Sequence, residues 1–586
     1  MDRYIECICK YIIKISKIAN AACKHSLSIT IKTIENPSTE KWLVRSIWAI
    51  STSMIAFIIF YMIPHRGFDY TDNGYAMYNI YNIAHGIVPS LGYAALINLP
   101  LYFIGLNYYL AYEVYYCFIA MLSVFLIFYA FDKHKSVMLP ITIVLVLTCN
   151  VSFFLNYQLL SQYLLIGAIG SIIIANKKDS GIFAAIGIFL LCFSSFANTS
   201  LIPSILPSFF LLFLIKNKRS VFILLYVFLS FIFFYLYLKS TINMFTHPGP
   251  TFSDHSYFIT QTGAFFATIF STNFLIVAFI AALARILIHF FKKEMLLKIV
   301  SFIILSTTLF LWQKNLIING FIWSYNNLYP AFYFRLIELQ ILILALVLLL
   351  KNNKNSYLIL FLSLLTFIYM FGISVTTLSL PVSHLAGLGA AYISLTSILV
   401  IISLKDLKQL EYAYFIKVCV YLFFLTLATL SLFIQYNSNY RTSANKDNST
   451  KITNGYLSGV YSTNNKINSY EEIVKFYNEH NCSDKSLVAL PSLPLVYAVF
   501  DRQAYGSQAW ISPDVGNEIT IDKVENYIET LNHWCAIIAP EYNAAPKEYT
   551  KKIIKYLSDN SENCYIKDYI YDGSGNTPTK LLFCYK

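Results

Sequence analysis

Two aspartates, Asp69 and Asp72, follow the first long apolar segment of the chain, within the run of residues 68–75. A carboxylate beside a membrane is energetically costly, so its presence there is by default a functional hypothesis. Such a group can take the proton of a hydroxyl as that hydroxyl attacks an electrophile. The alternative for Asp72 is structural, because an aspartate at a helix start can cap the first backbone N–H groups.

Three cationic side chains are candidates to bind phosphate on the same side of the apolar segments. Arg335 lies at the outer end of one segment, and its planar guanidinium matches phosphate oxygens. An ion pair with Glu338, three residues further along the helix, is the alternative. Lys314 and Arg66 are weaker candidates, since basic side chains at span ends commonly extend toward the membrane surface.

Further polar side chains lie at or near the ends of apolar segments. His384 and Tyr157 could hydrogen-bond a polar substrate there. The alternative is again structural, since helix ends leave backbone groups that need hydrogen-bond partners. Glu113 lies inside an apolar segment, and the sequence leaves open whether it faces the other helices or the outer loop.

These candidates depend on a membrane topology. The chain is 57% hydrophobic and only 13% charged, whereas a soluble globular protein averages about 25% charged residues. About thirteen apolar segments fill residues 46–434, with lengths typical of transmembrane helices. They lie near 46–64, 107–131, 137–156, 159–176, 181–197, 200–215, 220–239, 263–291, 297–313, 331–350, 356–373, 384–403 and 413–434.

Lysine and arginine fall in alternate loops only. Cytoplasmic loops retain positive charge, so this pattern places the N-terminus in the cytoplasm and the C-terminal tail outside. The basic residues 1–45 then form an amphipathic segment on the cytoplasmic leaflet. The net charge of +12 is explained by the same rule, so membrane lipids are expected as partners and nucleic acid is not.

The first outer loop, residues 65–106, contains a second apolar stretch at 91–106. That stretch is short, contains Pro100 and has no charged flank. If it crossed the membrane, every later loop would change sides and the charge pattern would fail. We therefore expect it to be re-entrant or packed against the helices.

The tail predicts a small soluble domain. Residues 435–468 are rich in Asn, Ser, Thr and Lys, which is typical of a linker. Residues 469–586 contain two short apolar strands, 486–490 and 534–539, and an amphipathic helix at 545–557. The segment from Cys564 to the end predicts a hairpin. The fold class is thus an α-helical polytopic membrane protein with a small C-terminal extracytoplasmic α/β domain.

Four cysteines in the tail test which side the domain occupies. An even number of cysteines in an oxidising compartment suggests disulfides. The hairpin places Cys564 opposite Cys584, so that pair is geometrically feasible, although Cys482 could compete. Cys535 is the fourth, and four buried thiols are the alternative.

The run Asp72-Asn73-Gly74-Tyr75 is followed by the glycine–proline turn of residues 83–89 and the apolar proline segment of residues 99–102. This order resembles the first outer loop of the GT-C superfamily, polytopic membrane glycosyltransferases that use polyprenyl-phosphate-linked sugars. In that family an acidic D-E or D-x-x-Y motif follows the first span. Asn73 stands where a second acid is common, which leaves Asp69 as the other acid.

The resemblance implies an inverting glycosyltransferase in the bacterial inner (cytoplasmic) membrane, with its C-terminal domain in the periplasm. Asp72 would be the general base, and Asp69 would assist it or bind a divalent metal such as Mg²⁺ or Mn²⁺; no other cofactor is expected. Arg335 and Lys314 would bind the lipid phosphate of the donor. The substrate-binding residues would be Tyr75, His85, His384 and Tyr157.

The acceptor implied by the resemblance is a surface glycan or lipid-linked acceptor, for example an O-antigen of lipopolysaccharide that gains a side branch. Two other interpretations stay open: a polysaccharide flippase or transporter, and an O-antigen ligase or polymerase. The sequence lacks a Walker A loop, an H-E-x-x-H helix and a G-x-S-x-G turn. Nucleotide hydrolysis, zinc peptidase and serine hydrolase chemistry are therefore not predicted.

Overall fold

The structure is a computed structural model of the 586-residue chain. It describes residues 37–86, 93–130, 135–148, 157–197, 413–437, 445–490, 493–504, 530–540, 547–569 and 580–586, with scattered positions between 221 and 368.

The described part of the chain is mostly helical, and six helices coincide with predicted apolar segments. Long runs without charge favour helices in a membrane, because a helix satisfies its own backbone hydrogen bonds. The helices are α1 (Pro37–Phe57), α4 (Tyr109–Ala130), α5 (Lys135–Thr148), α6 (Tyr157–Lys178), α7 (Gly181–Ala197) and α8 (Ala413–Asn437).

Within the described residues, three helical stretches are long and apolar enough to cross a membrane: Lys41–Met62, Tyr109–Leu126 and Leu159–Lys178. Two shorter apolar helices, Leu139–Thr148 and Gly181–Ser194, accompany them. Most of the predicted spans from 200 to 403 lie outside the described residues, and so do Lys314, Arg335 and His384.

The first apolar helix ends in a distorted turn. The α-helix passes into a π-helix at Ile58–Met62 and then into a 3₁₀ turn at Pro64–Arg66. Gly67 follows with φ +80°, a conformation that glycine adopts without steric cost. The chain leaves the helix there and begins the outer loop.

Two helices form the first outer loop: α2 (Asp72–Ala84) and α3 (Tyr93–Phe103). Helix α2 ends where His85 caps it and Gly86 follows with φ +76°. Helix α3 has 11 residues, with Pro100 inside it. At about 1.5 Å per residue it is roughly 16 Å long, too short for the ~30 Å hydrocarbon layer.

The C-terminal region forms a four-stranded sheet in the order β3-β4-β6-β5. Strands β3 (Ser486–Leu490) and β4 (Trp534–Ile538) run parallel, while β5 (Asn563–Asp568) and β6 (Lys580–Tyr585) form the predicted antiparallel pair. Three helices accompany the sheet: α9 (Asn464–Glu479), α10 (Pro494–Val499) and α11 (Lys547–Asn560).

Residues 445–468, which composition predicts to be a linker, are folded. They contain a 3₁₀ turn at Asn445–Asp447, the ribbon β1 (Thr450–Lys451) with β2 (Tyr461–Ser462), and the start of α9. The C-terminal domain therefore begins before residue 469. The physical reason is that asparagine side chains in this segment satisfy carbonyl groups of another element.

Those carbonyl groups belong to the end of the first apolar helix. The Asn445 side-chain amide donates to the Met62 carbonyl at 2.9 Å, and that of Asn448 donates to the His65 carbonyl at 2.8 Å. The imidazole of His65 is stacked between the rings of Tyr61 and Tyr461, with centroid distances of 4.1 and 4.0 Å. The ribbon is thus fixed to the outer end of the helix.

The outer loop and the C-terminal domain share one hydrophobic core. Buried side chains of α2 and the start of α4 join buried side chains of the ribbon, α9, α10 and the sheet. This core includes Phe68, Tyr70, Tyr78, Tyr109, Tyr112, Leu457, Tyr470, Phe476, Leu495 and Phe583. The domain is consequently packed onto the loop.

Two disulfides close the C-terminal domain. Cys564 is joined to Cys584 across the β5–β6 register, the pairing that the hairpin allows, and Cys482 is joined to Cys535. The second bond links the 3₁₀ turn Cys482–Asp484, which follows α9, to strand β4 over a sequence separation of 53 residues.

We predict that the double variant Cys482→Ser, Cys535→Ser is less stable by about 4 kcal/mol, because its bond restricts a long loop of the unfolded chain. The matched variant Cys564→Ser, Cys584→Ser removes a bond that closes a shorter loop, with a sequence separation of 20 residues. It should therefore lower the stability by less, about 3 kcal/mol. Urea unfolding of the full chain, followed by tryptophan fluorescence, measures both. The reverse order of the two costs would contradict the loop argument.

Candidate functional site

Four charged side chains are buried among the described residues, and they surround the start of the first outer loop. They are Arg66, Asp69, Glu113 and Lys466, each no more than 3% exposed. The Lys466 ammonium lies 5.3 Å from the centroid of Phe68, the residue before Asp69. Buried charge is costly unless it is paired, so this group is the candidate functional site.

Asp69 holds the first turn of α2. One carboxylate oxygen accepts hydrogen bonds from the Thr71 backbone N–H at 3.1 Å and the Thr71 hydroxyl at 2.7 Å. The other accepts the Asn73 backbone N–H at 3.3 Å. These bonds satisfy donors that a helix start leaves free. Asp69 therefore has a structural role that the sequence interpretation did not assign to it.

Asp72 is the first residue of α2, and Thr71 occupies the cap position. The capping role proposed for Asp72 thus falls instead to the Asp69 carboxylate, which reaches the N–H groups from three residues earlier. The side chain of Asp72 lies outside the described part. An acidic residue in the first helical turn is stabilised by the helix dipole.

Asn73 links α2 to the membrane helix α4. Its side-chain amide donates to the Tyr109 hydroxyl at 2.8 Å, and the Tyr109 backbone N–H donates to the Tyr456 carbonyl at 3.1 Å. Loop, membrane helix and C-terminal ribbon therefore meet at Tyr109.

Glu113 lies one helical turn after Tyr109, deeper along α4. Its side chain is fully buried, and neither carboxylate oxygen has a hydrogen-bond partner among the described residues. Arg66 is the charged group that acts on it electrostatically. The structure thus answers the question that the sequence left open: Glu113 faces the protein interior.

Arg66 does not extend toward the membrane surface, so the expectation of an interfacial arginine is wrong. Its guanidinium is buried and donates to the side-chain oxygen of Gln435 at 2.6 Å. Gln435 belongs to α8, more than 360 positions later in the chain. No local pattern indicates this contact, because it depends on how the end of the first apolar helix packs against α8.

The C-terminal domain lies directly against α2. The Leu495 backbone N–H donates to the Tyr70 carbonyl at 3.1 Å, and the Tyr70 and Ser469 hydroxyls are 2.9 Å apart. The Tyr78 hydroxyl accepts the Ala504 backbone N–H at 2.8 Å. Burial raises the pKa of the Tyr78 phenol to about 12, because the phenolate would lose its hydration.

The other predicted substrate residues are only partly brought together. Tyr75 is half-buried one turn into α2, near Asp69 and Asn73. His85 is exposed at the opposite end of α2, about 20 Å from Asp72 along the helix axis. There its ring lies against that of Tyr81, tilted by 31° at a centroid distance of 4.1 Å. Tyr157 is the first residue of α6, and its side chain lies outside the described part.

Within the described ranges, no group of three or more His, Cys, Asp or Glu side chains is arranged to hold a metal ion. The two oxygens of Asp69 already accept three hydrogen bonds.

Sequence reasoning missed Lys466 altogether. It lies in a polar segment where lysine carries no signal, and only the packing of α9 against Phe68 buries it. Glu113 did carry a signal, since a carboxylate within an apolar helix is rare and usually functional.

A comparison with protein-family models and with curated proteins gives no match. Function must therefore be argued from the site itself.

We predict that Gly74→Ala weakens the contact between α2 and the C-terminal domain. A Cβ atom at Gly74 would lie 2.5 Å from the Leu495 nitrogen and 2.8 Å from its Cα, which are backbone atoms. Overpacking of this kind costs about 1–3 kcal/mol, measurable as a lower midpoint of thermal unfolding.

The matched control for Gly74→Ala is Gly86→Asn, at the other end of the same helix. Gly86 has φ +76° and open space around it, and asparagine tolerates that conformation. Equal midpoints for Gly74→Ala and the wild type would contradict the proposed contact.

A pH dependence follows from Tyr78. The unfolded phenol loses its proton near pH 10, whereas the folded protein retains it up to about pH 12. The folded state binds more protons in that window, so stability present below pH 10 is lost as pH rises toward 12. Urea midpoints measured from pH 9 to 11.5 should fall less steeply in Tyr78→Phe than in the wild type; equal slopes would contradict this assignment.

Proposed function

We propose that this protein is an inverting membrane glycosyltransferase of the GT-C type. It transfers a sugar from a polyprenyl-phosphate-linked donor to a surface glycan or lipid-linked acceptor, such as an O-antigen side branch. The observation that carries the proposal is the fixed start of α2, where Asp72 opens the helix beside four buried charges.

The chemistry assigns one step to Asp72. Its carboxylate takes the proton of the acceptor hydroxyl while that oxygen forms a bond to the anomeric carbon. The bond from that carbon to the donor phosphate breaks, and the phosphate leaves with the electron pair. Arg335 and Lys314 neutralise the leaving phosphate. Asp69 positions the helix start, and its three hydrogen bonds support that role over metal binding.

The proposed topology has about thirteen spans in a bacterial inner membrane, a cytoplasmic N-terminus and a periplasmic C-terminal domain. The apolar helices and the short α3 support it, because a non-spanning α3 preserves the alternation of basic loops. The disulfides of the C-terminal domain add support, since such bonds persist in oxidising compartments.

A transporter of polysaccharide units is the second candidate. The observation that favours it is Glu113, because an intramembrane carboxylate commonly marks an ion or proton pathway. The two candidates differ in what Asp72 does. The transferase requires its carboxylate for chemistry, whereas a transporter does not need a base at that position.

We predict that Asp72→Asn lowers sugar transfer by 10²-fold or more, the usual contribution of a general base, while thermal stability changes little. Mass spectrometry of surface glycans from cells that carry the wild type, the variant or no protein measures the transferred sugar. A hexose present only with the wild type is the expected result.

Asp69→Asn is the matched control, three residues away. It removes an acceptor from the helix start and should cost about 1 kcal/mol of stability, with only partial loss of transfer. Full transfer by the double variant Asp69→Asn, Asp72→Asn would contradict the mechanism.

A further inference from the structure

Among the described residues, Glu113 is the buried acidic side chain whose carboxyl oxygens accept no hydrogen bond. Asp69 accepts three, and Arg66 donates to Gln435. Both oxygens of Glu113 are buried and without partners among the described residues. The mechanism proposed above does not use this side chain.

A buried Glu113 side chain with no function would lower the stability of the protein without a compensating benefit. A buried polar group without a hydrogen bond costs free energy that a substitution to an apolar residue would recover. An ionisable side chain inside a membrane protein is by default a contact for substrate or ions. Two acceptor oxygens side by side suit a ligand with two adjacent donors.

Glu113 also occupies the right place for a substrate contact. It follows Tyr109 by four residues, about 6 Å deeper along α4. The Tyr109 hydroxyl is bonded to the side chain of Asn73, the residue next to Asp72. The carboxyl therefore lies on the membrane side of the helix start at which Asp72 stands.

We infer that Glu113 is a sugar-binding residue, whose carboxylate accepts hydrogen bonds from adjacent hydroxyls of the donor's pyranose ring. Arg66 is the charged side chain that acts on this carboxyl group electrostatically. This inference rests on the proposed function and specifies which part of the donor this residue recognises.

The first experiment uses the unaltered full chain in lipid nanodiscs. Dicyclohexylcarbodiimide modifies buried carboxyl groups, and mass spectrometry of the peptide containing Glu113 measures the modification. The probes are undecaprenyl-phosphate-linked glucose, undecaprenyl-phosphate-linked galactose and undecaprenyl phosphate alone. We expect at least one sugar-linked probe to protect Glu113 and undecaprenyl phosphate to leave it reactive. Equal protection by all three would overturn the inference, since the phosphate or the prenyl chain would then be what covers the residue.

The second experiment compares binding by Glu113→Gln. Charged acceptors form stronger hydrogen bonds than neutral ones, so we expect about a tenfold weaker Kd for the sugar-linked probe and an unchanged Kd for undecaprenyl phosphate. Tyr112→Phe is the matched control on the same helix, because it removes a bond to Asn107 instead and should bind both probes as the wild type does.

The two levels of the proposal fail differently. If the wild type binds a sugar-linked probe, Glu113→Gln binds it equally well and proton-driven flux in sealed vesicles is unchanged, the role of Glu113 is wrong and the transferase proposal stands. If the wild type binds neither sugar-linked probe, the role of Glu113 and the transferase proposal are both overturned. If Glu113→Gln binds normally but abolishes a proton-driven flux in sealed vesicles, Glu113 belongs to a transporter.

Discussion

The hydrogen bonds from the start of α2 to the Asp69 carboxylate are the constraint on which the rest of the site depends. The backbone turns sharply at Gly67 after leaving the first membrane helix, and a new helix begins five residues later. Its first N–H groups would be unsatisfied in a buried setting without an acceptor. Asp69 supplies that acceptor, and the direction of α2 is fixed as a result.

A fixed α2 gives the C-terminal domain a surface to pack on. The absence of a side chain at Gly74 lets the backbone of Leu495 approach, and Tyr70 and Tyr78 meet backbone groups of the domain. From the other side, Asn445 and Asn448 complete the end of the first helix. The C-terminal domain therefore contacts the loop that carries the candidate site, and the two share one hydrophobic core.

The parts of this arrangement that the sequence predicts are the local ones. Apolar runs predict α4, α6, α7 and α8 to within a few residues, whereas α1 begins at Pro37 and not near residue 46. Short apolar stretches predict β3 and β4, because a local apolar pattern directly reflects which side chains are buried. The contacts between distant segments are not predictable in this way. From sequence alone Arg66 is typical of an interfacial arginine, but in the structure it is bonded to Gln435 of α8. Likewise, the polar composition of 445–468 is typical of a linker, but its asparagine side chains donate hydrogen bonds to carbonyl groups at the end of the first helix.

Electrostatics connect these observations to function. Two basic and two acidic side chains are buried around the loop, and burying such groups in a medium of low dielectric constant is costly. A fold under no functional demand would lower its free energy by replacing such a group with apolar residues. Asp69 is explained by the helix that it holds and Arg66 by its bond to α8. Glu113 has no such structural explanation. Asp69 and Arg66 are therefore retained for the fold, whereas the Glu113 carboxyl is available to a ligand.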